Sequence, residues 1–296
     1  MWDHLVQDFD PEKENYHGID GVRAHPELFD INFCPPGGGP GQRNKDRLLD
    51  IKGGPTMQPG SGARGNSHGL TTLPPGGPVV TGEKDWLHVN AVGLCAGRDL
   101  LVMSLNVPCE IIVVDHATTM EEAASHAGGR RGRGGDILWR WGNPQIYHHG
   151  ARIEQALFCQ HSSHFVPGGC PGAGNIILFN NGRNPDRVWS EVLELAPSIP
   201  GEDGAPPRAE GEPFGAEVAF RYGPRAGRAG SFYCTHISGC QRMENGNTLI
   251  TIGTLGTVVE VTPAGEEVWR WLSPVMVRVR AAPRALRRPR APKPVV

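Results

Sequence analysis

No apolar run in this chain approaches twenty residues, so no segment is expected to cross a membrane as a helix. No GxGxxG or GxxxxGK-S/T pattern follows a strand-like run, which argues against a nucleotide cofactor. HExxH is missing, and the seven cysteines, at 34, 95, 109, 159, 170, 234 and 240, contain no CxxC pair, so a zinc knuckle is not expected. No basic-then-apolar leader follows Met1; the sequence starts abruptly with "MWDHLVQD". Charged residues are 20% and apolar ones 38%, a globular composition. Glycine (41) and proline (27) are abundant, which favours many short strands joined by turns over helices.

Charge is unevenly spread. Residues 276–296, "MVRVRAAPRALRRPRAPKPVV", hold seven Lys/Arg and no acid, so the remainder carries 22 basic against 31 acidic residues. A basic tail of this kind can bind an acidic partner, but it lacks aromatic residues and any recognisable nucleic-acid module. The expectation for 273–296 is a disordered end without a nucleic-acid partner.

What is present is a repeat. His88, His161 and His236 are separated by 73 and 75 residues, and the segments after each follow one order. Behind His88 come "GRDLLVMS", "CEIIVVD" and "GDILWRWG"; behind His161 come "GNIILFNN", "SEVLELA" and "AEVAFRYG"; behind His236 come "GNTLITIG", "GTVVEVT" and "GEEVWRWL". Each is a short β-branched or aromatic run bounded by turn residues, hence a strand. Four antiparallel strands, three times over, predict an all-β protein built of β-propeller blades, at about 85–142, 158–223 and 232–272. Residues 1–30 read as the end of a preceding blade, and 31–80 as a Gly/Pro-rich insert. Three to four blades do not close a ring. The chain is therefore expected to be a fragment, or to pair with something that completes it, a second copy included.

In a propeller the first strand of each blade lines the axis, so the three histidines are expected in that strand and on one axial pocket. Asn90, two residues after His88, shares its strand face and is expected to orient the pocket. His164 reads as structural, and His4 as a pocket residue of the preceding blade or a packed ring. His148 and His149 fall in a loop after "GNPQIY". The loop "GGRRGRGG" reads either as an attractor of anions or as a solvated turn. Cys234 and Cys240 flank His236; they read as small buried residues or, alternatively, as a thiol nucleophile.

The stretches "WDHLVQDFDPEKENY", "DWLHVNAVG", "EIIVVDHATTMEEAASHAGGRRGRGGDILWRWGNPQIY", "QHSSHFVPGGCPGAGNIILFNNG" and "THISGCQRMENGNTLITIG…GTVVEVTPAGEEVWRW" resemble the bacterial arylsulfate sulfotransferases. The likeness runs over residues 2–272 and is weak in 31–80 and 196–230. It implies a six-bladed propeller and transfer of a sulfuryl group from an aryl sulfate to a phenol. The transfer needs no nucleotide-activated sulfate (PAPS) and no other cofactor or metal, and passes through a sulfohistidine. The resemblance places the nucleophile on His236, and His88 and His161 beside it. A family arginine falls on Arg183 or Arg187, and Asn181 joins Asn90 as a substrate-binding residue. It also implies a periplasmic or extracellular setting. After "WRWLSP" the family pattern gives way to the Arg/Pro tail.

The chemistry is consistent with those residues. A sulfuryl group spreads negative charge over peripheral oxygens while attacker and leaving group stay in line, as a phosphoryl group does. It needs a nitrogen nucleophile, donors for the oxygens and a proton for the departing phenoxide. Two other readings of the histidines stand beside this one: a three-histidine metal site, and a non-catalytic propeller acting as a binding platform.

Overall fold

The computed structural model describes residues 8–9, 21, 23–30, 87–183, 186–201, 212–223 and 232–275. His4, the 31–80 insert and the basic tail from 276 onward lie outside the described residues.

Twelve strands form three four-stranded antiparallel sheets, each a plain up-and-down meander. The first sheet contains β3 (Val89–Cys95), β4 (Leu100–Leu105), β5 (Glu110–Asp115) and β6 (Trp139–Trp141). The second contains β7 (His161–Phe165), β8 (Ile176–Asn180), β9 (Glu191–Pro197) and β10 (Ala216–Tyr222). The third contains β11 (Gly239–Arg242), β12 (Thr248–Ile252), β13 (Thr257–Val261) and β14 (Glu267–Leu272). Two short strands, β1 (Asp8–Phe9) and β2 (Phe29–Asp30), pair in parallel, and one short helix, α1 (Met120–Ala123), sits in the β5–β6 connection with Thr119 and Glu122 forming its capping box. These are propeller blades, as the repeat requires: all-β, with the first strands β3, β7 and β11 meeting side by side.

The middle strand of the second blade shows why the sequence packs this way. "IILFN" is buried throughout, and its side chains alternate between two cores. Ile176 and Leu178 join Val102, Ile111, Val113 and Trp139 of the first blade. Ile177 and Phe179 join Ile250, Ile252 and Val259 of the third. A strand sandwiched on both faces carries no polar face, so it reads as a continuous apolar run.

The first strands approach closely. A Cβ on Gly93 would lie 3.0 Å from the Cα of His164, and one on Gly239 would lie 3.0 Å from Ser162 Oγ. Both are tighter than side chains normally allow, so glycine sets the spacing of the blades around the axis.

The repeat extends to ion pairs. The acid that opens the third strand meets the arginine that lies between two aromatic residues in the fourth: Glu110 with Arg140 at 2.6 Å, and Glu191 with Arg221. In the third blade Thr257 takes the acid's place, and Arg270 turns to Glu267 on its own strand. Arg140 and Glu110 are both fully buried. Arg140 also donates to the carbonyls of Pro26 and Leu28 and lies over the rings of Phe29 and Tyr147, so it fastens residues 26–29 to the first blade. Burial pushes the Glu110 carboxyl above its ordinary pKa even though Arg140 opposes it.

The arginine-rich loop is built into the fold. Arg131 is buried against Asp115 and the carbonyls of Pro200 and Arg98, and Arg130 pairs with Asp99. Arg131 is thus buried in the fold, while Arg130 remains part-exposed in its pair with Asp99.

Candidate functional site

The three histidines stand at the inner edges of successive blades, but in three different local settings. His161 is the first residue of β7, whereas His88 immediately precedes β3 and His236 lies three residues ahead of β11. The expected placement inside the first strand therefore holds for one ring of the three. The reason is backbone conformation: His88 (φ 47°), Ile237 (φ 54°) and Ser238 (φ 83°) adopt left-handed geometry, which delays strand pairing. Ser162 (φ 60°) does the same just inside β7 and produces the register shift between His161 and His164. Left-handed residues without a glycine cost on the order of 1–3 kcal/mol each, and such strain gathers at functional sites.

The rings nevertheless share one electrostatic neighbourhood. Burial lowers the pKa of His161, and the charges of His88 and His236 lower it further, while its hydrogen bonds to Asn181 and Cys159 oppose the shift. His161 thus favours its neutral form more than an ordinary imidazole does, mainly through burial, with the rings of the neighbouring blades adding to the effect.

The tautomer of His161 is fixed by its partners. Nδ1 lies 2.7 Å from Asn181 Oδ1 and 3.0 Å from the Cys159 carbonyl, and both are acceptors. Asn181 is itself oriented, because its Nδ2 donates to the carbonyls of Cys234 and Ile237 at 2.8 Å each. Nδ1 must therefore carry the proton, and Nε2 presents its lone pair. His236 is exposed, with Nδ1 2.9 Å from Thr235 Oγ1. The segment beneath it is anchored by Cys234, whose sulfur accepts from Ser238 Oγ (2.9 Å), Thr254 Oγ1 (2.8 Å) and the Thr254 amide (3.2 Å).

The asparagines have a shared task that the sequence alone did not disclose. Asn106 and Asn181 each follow the second strand of a blade and each reach to the segment leading into the next blade. Asn106 donates to the Gln160 carbonyl at 3.2 Å, as Asn90 does at 2.7 Å. Gln160 is fully buried and its side chain donates to the carbonyls of Leu105 and Glu110. Asn90 and Asn181 thus position the His161 segment. The signal was the repeated "SLN" and "FNN" at strand ends, whose alignment shows only once the blades are paired.

The two candidate arginines diverge. Arg187 is buried, pairs with Glu191 at 2.6 Å and stacks over Trp189 and Phe158. It lines a cavity of about 550 Å³ together with Trp141, Arg152 and Arg221, on the outer side of the first two blades. Burial lowers its pKa from the ordinary guanidinium value and Glu191 opposes that shift. Arg183 instead stands beside Cys109 and Cys159, with Nε 3.1 Å from Asp186. Burial disfavours its charge, but the two sulfurs and Asp186 outweigh that and hold its pKa above the usual value. Arg187 is thus engaged with Glu191 and two aromatic rings, and Arg183 with Asp186 beside the two cysteines, of which Cys159 offers its carbonyl to His161 Nδ1.

The remaining histidines are occupied elsewhere. His164 is half-buried against Gly93, with Nδ1 2.8 Å from the Ser162 carbonyl. His148 caps a short 3-10 turn in left-handed geometry, and His149 Nε2 meets the Arg23 carbonyl at 2.8 Å. Among the described residues no group of three or more His, Cys, Asp or Glu side chains has metal-binding geometry.

No family model matches the chain, and no curated protein does. Among solved structures it is similar to a protein of unknown function from Bacteroides caccae, at 14% identity and TM-score 0.33 over 62% of this chain and 46% of that one. It is also similar to virginiamycin B lyase from Staphylococcus aureus, at 10% identity and TM-score 0.33 over 64% of this chain and 42% of that one. The chain thus spans less than half the length of either protein. Likeness at this level bears on neither mechanism nor substrate.

Proposed function

We propose that the inner edge of the three blades is a group-transfer site, and that the group transferred is sulfuryl, from an aryl sulfate to a phenol through a sulfohistidine. One observation carries the reading: Asn181 and the Cys159 carbonyl hold the proton of His161 on Nδ1, leaving Nε2 as a base at the inner edge where His88 and His236 also stand. The resemblance to arylsulfate sulfotransferases supplies the identity of the group.

In the first half-reaction His236 attacks the sulfur of the aryl sulfate in line with the aryl oxygen. An N–S bond forms as the S–O bond breaks, and the phenoxide takes the bonding pair. A protonated histidine of the cluster gives its proton to that oxygen. In the second half a phenol loses its proton to the same histidine, and its oxygen displaces the imidazole from sulfur. His161, with an exposed lone pair on Nε2, is suited to the acid–base role because a depressed pKa makes it a ready donor once protonated. His88 and Arg183 supply positive charge to the sulfate oxygens.

Steady-state kinetics with 4-nitrophenyl sulfate and phenol test this. Expected are parallel double-reciprocal lines, no turnover in His236→Ala, and a loss of about 10²–10³-fold in Arg183→Met. Since His161 must be neutral to accept the phenol's proton, kcat/KM for phenol should fall on the acid side, with the midpoint of that fall below the ordinary imidazole value of about 6.5. Turnover unaffected by His236→Ala would remove the proposal.

A further inference from the structure

Behind His161, two cysteines from neighbouring blades meet. Cys109 closes the β4–β5 turn and is buried; Cys159 leads into β7 and is half-buried. They are 50 residues apart in sequence, yet the Cys159 amide donates to Cys109 Sγ at 3.4 Å, and the two thiols hydrogen-bond to each other. Both residues adopt left-handed backbone geometry, φ 60° and 55°, a strained conformation for cysteine that turns the two side chains' segments toward one another. Both are free thiols. Arg183 stands beside the pair, and the Cys159 carbonyl accepts from His161 Nδ1 at 3.0 Å.

Other cysteines are differently placed. The Cys170 thiol donates to the Arg242 carbonyl, the Cys234 sulfur is taken by Ser238 and Thr254, and burial pushes the Cys240 thiol far up. The Cys109 thiol goes the other way. The hydrogen bond from Cys159 brings it down to about 7, with help from Arg183 and against the effect of burial, while the same hydrogen bond and burial push the Cys159 thiol up, so Cys109 is the member of the pair that gives up its proton first.

We propose that Cys109 and Cys159 are a reversible dithiol–disulfide couple that bridges the first and second blades behind His161, with a peroxide as oxidant. The Cys109 thiolate attacks hydrogen peroxide; the O–O bond breaks, and Cys109 becomes a sulfenic acid as hydroxide leaves and is protonated to water. The Cys159 thiol, as its thiolate, then attacks that sulfur, forming the S–S bond and releasing a second water once its proton is counted. Two thiols are oxidised and one peroxide is reduced to two waters. A low-molecular-weight dithiol reverses the bond by exchange. The Cys159 amide lies 3.4 Å from Cys109 Sγ and the two thiols are hydrogen-bonding neighbours, so the sulfurs start close to the bond of about 2.05 Å that oxidation would form.

The bond also changes the histidine side. Oxidation removes the thiolate opposite Arg183, leaving Asp186 as its anionic neighbour, and ties down the carbonyl that holds the His161 proton. That consequence rests on reading the histidines as an anion-handling site; the bond itself does not.

The test is a peptide map of the full chain before and after hydrogen peroxide, with free thiols alkylated under denaturing conditions. Expected is a Cys109–Cys159 linked peptide, two hydrogens lighter than the sum of its parts, lost on treatment with dithiothreitol. Cys109→Ser should leave Cys159 alkylated, and Cys159→Ser should leave Cys109 as a sulfenic or higher acid. The wild-type map decides alone should either variant fail to fold. Cys109 and Cys159 both recovered as alkylated thiols while Cys95 or Cys170 oxidises, or either one linked elsewhere, would overturn the proposal. The map reads no turnover, so its outcome and that of the kinetic test are separate.

Discussion

Arg140→Met should destabilise the protein by about 3–5 kcal/mol, a large part of the 5–15 kcal/mol that ordinarily holds a domain folded. The substitution leaves the Glu110 carboxylate fully buried without its cation, because both side chains are 0% exposed. It also strips the Pro26 and Leu28 carbonyls of their donor and the Phe29 and Tyr147 rings of the guanidinium between them. Adding Glu110→Leu should recover much of the loss, since an apolar pair of similar volume avoids the cost of burying charge. Recovery should stop short of the parent, because the two carbonyls remain unpaired at about 1–3 kcal/mol for each buried group. Urea denaturation of the three proteins checks this; a single variant within 1 kcal/mol of the parent would show the pair to be dispensable.

Asn181 should matter almost as much to turnover. Asn181→Leu removes the acceptor that fixes the His161 proton on Nδ1 and the two donors that tie this segment to Cys234 and Ile237. Loss of a group that orients a functional imidazole typically costs about 10–100-fold. A collapse of local structure would lower activity too, so the discriminating variant is Asn181→Asp. It keeps the acceptor, loses both donors, and places a carboxylate against His161, which raises that ring's pKa. The acid limb of kcat/KM for phenol should then move to higher pH in Asn181→Asp and, because the Asn181 hydrogen bond holds the His161 pKa up, to lower pH in Asn181→Leu. An unchanged limb in the aspartate variant would mean that His161 does not govern the profile.

Much of the architecture was legible because the repeat constrains it three times. The strand-like runs after each histidine became β4, β8 and β12 and their successors, since apolar residues bounded by glycine and asparagine leave few alternatives to a hairpin meander. Period alone located the three histidines at the inner edge. The expectation that all three lie inside strands holds only for His161, because the left-handed φ values at His88, Ile237 and Ser238 carry no residue signature; none of the three is glycine. The choice between Arg183 and Arg187 was equally hidden. Four residues separate them, and only the fold shows that Glu191 claims one while the other turns to the sulfurs. The Cys109–Cys159 contact spans two blades and had no local spacing to announce it.

The exposed face of β14 follows the same logic. Trp139 in the first blade is buried and donates to the Gly215 carbonyl of the second, and the equivalent Phe220 joins the core shared with the third. Trp269 and Trp271 repeat that pattern at the end of the third blade, where they are 49% and 46% exposed. The sequence motif is one and the same; what differs is that, among the described residues, a following blade packs on the first two and none on the third.

The most direct measurement is the mass of the intact protein after brief exposure to 4-nitrophenyl sulfate, followed by peptide mapping under conditions that preserve an N–S bond. The expected result is one added sulfuryl group located on His236, absent from His236→Ala and discharged by phenol. A folded protein that releases nitrophenol without ever carrying the group, or carries it on a residue outside the three histidines, would contradict covalent transfer at this site.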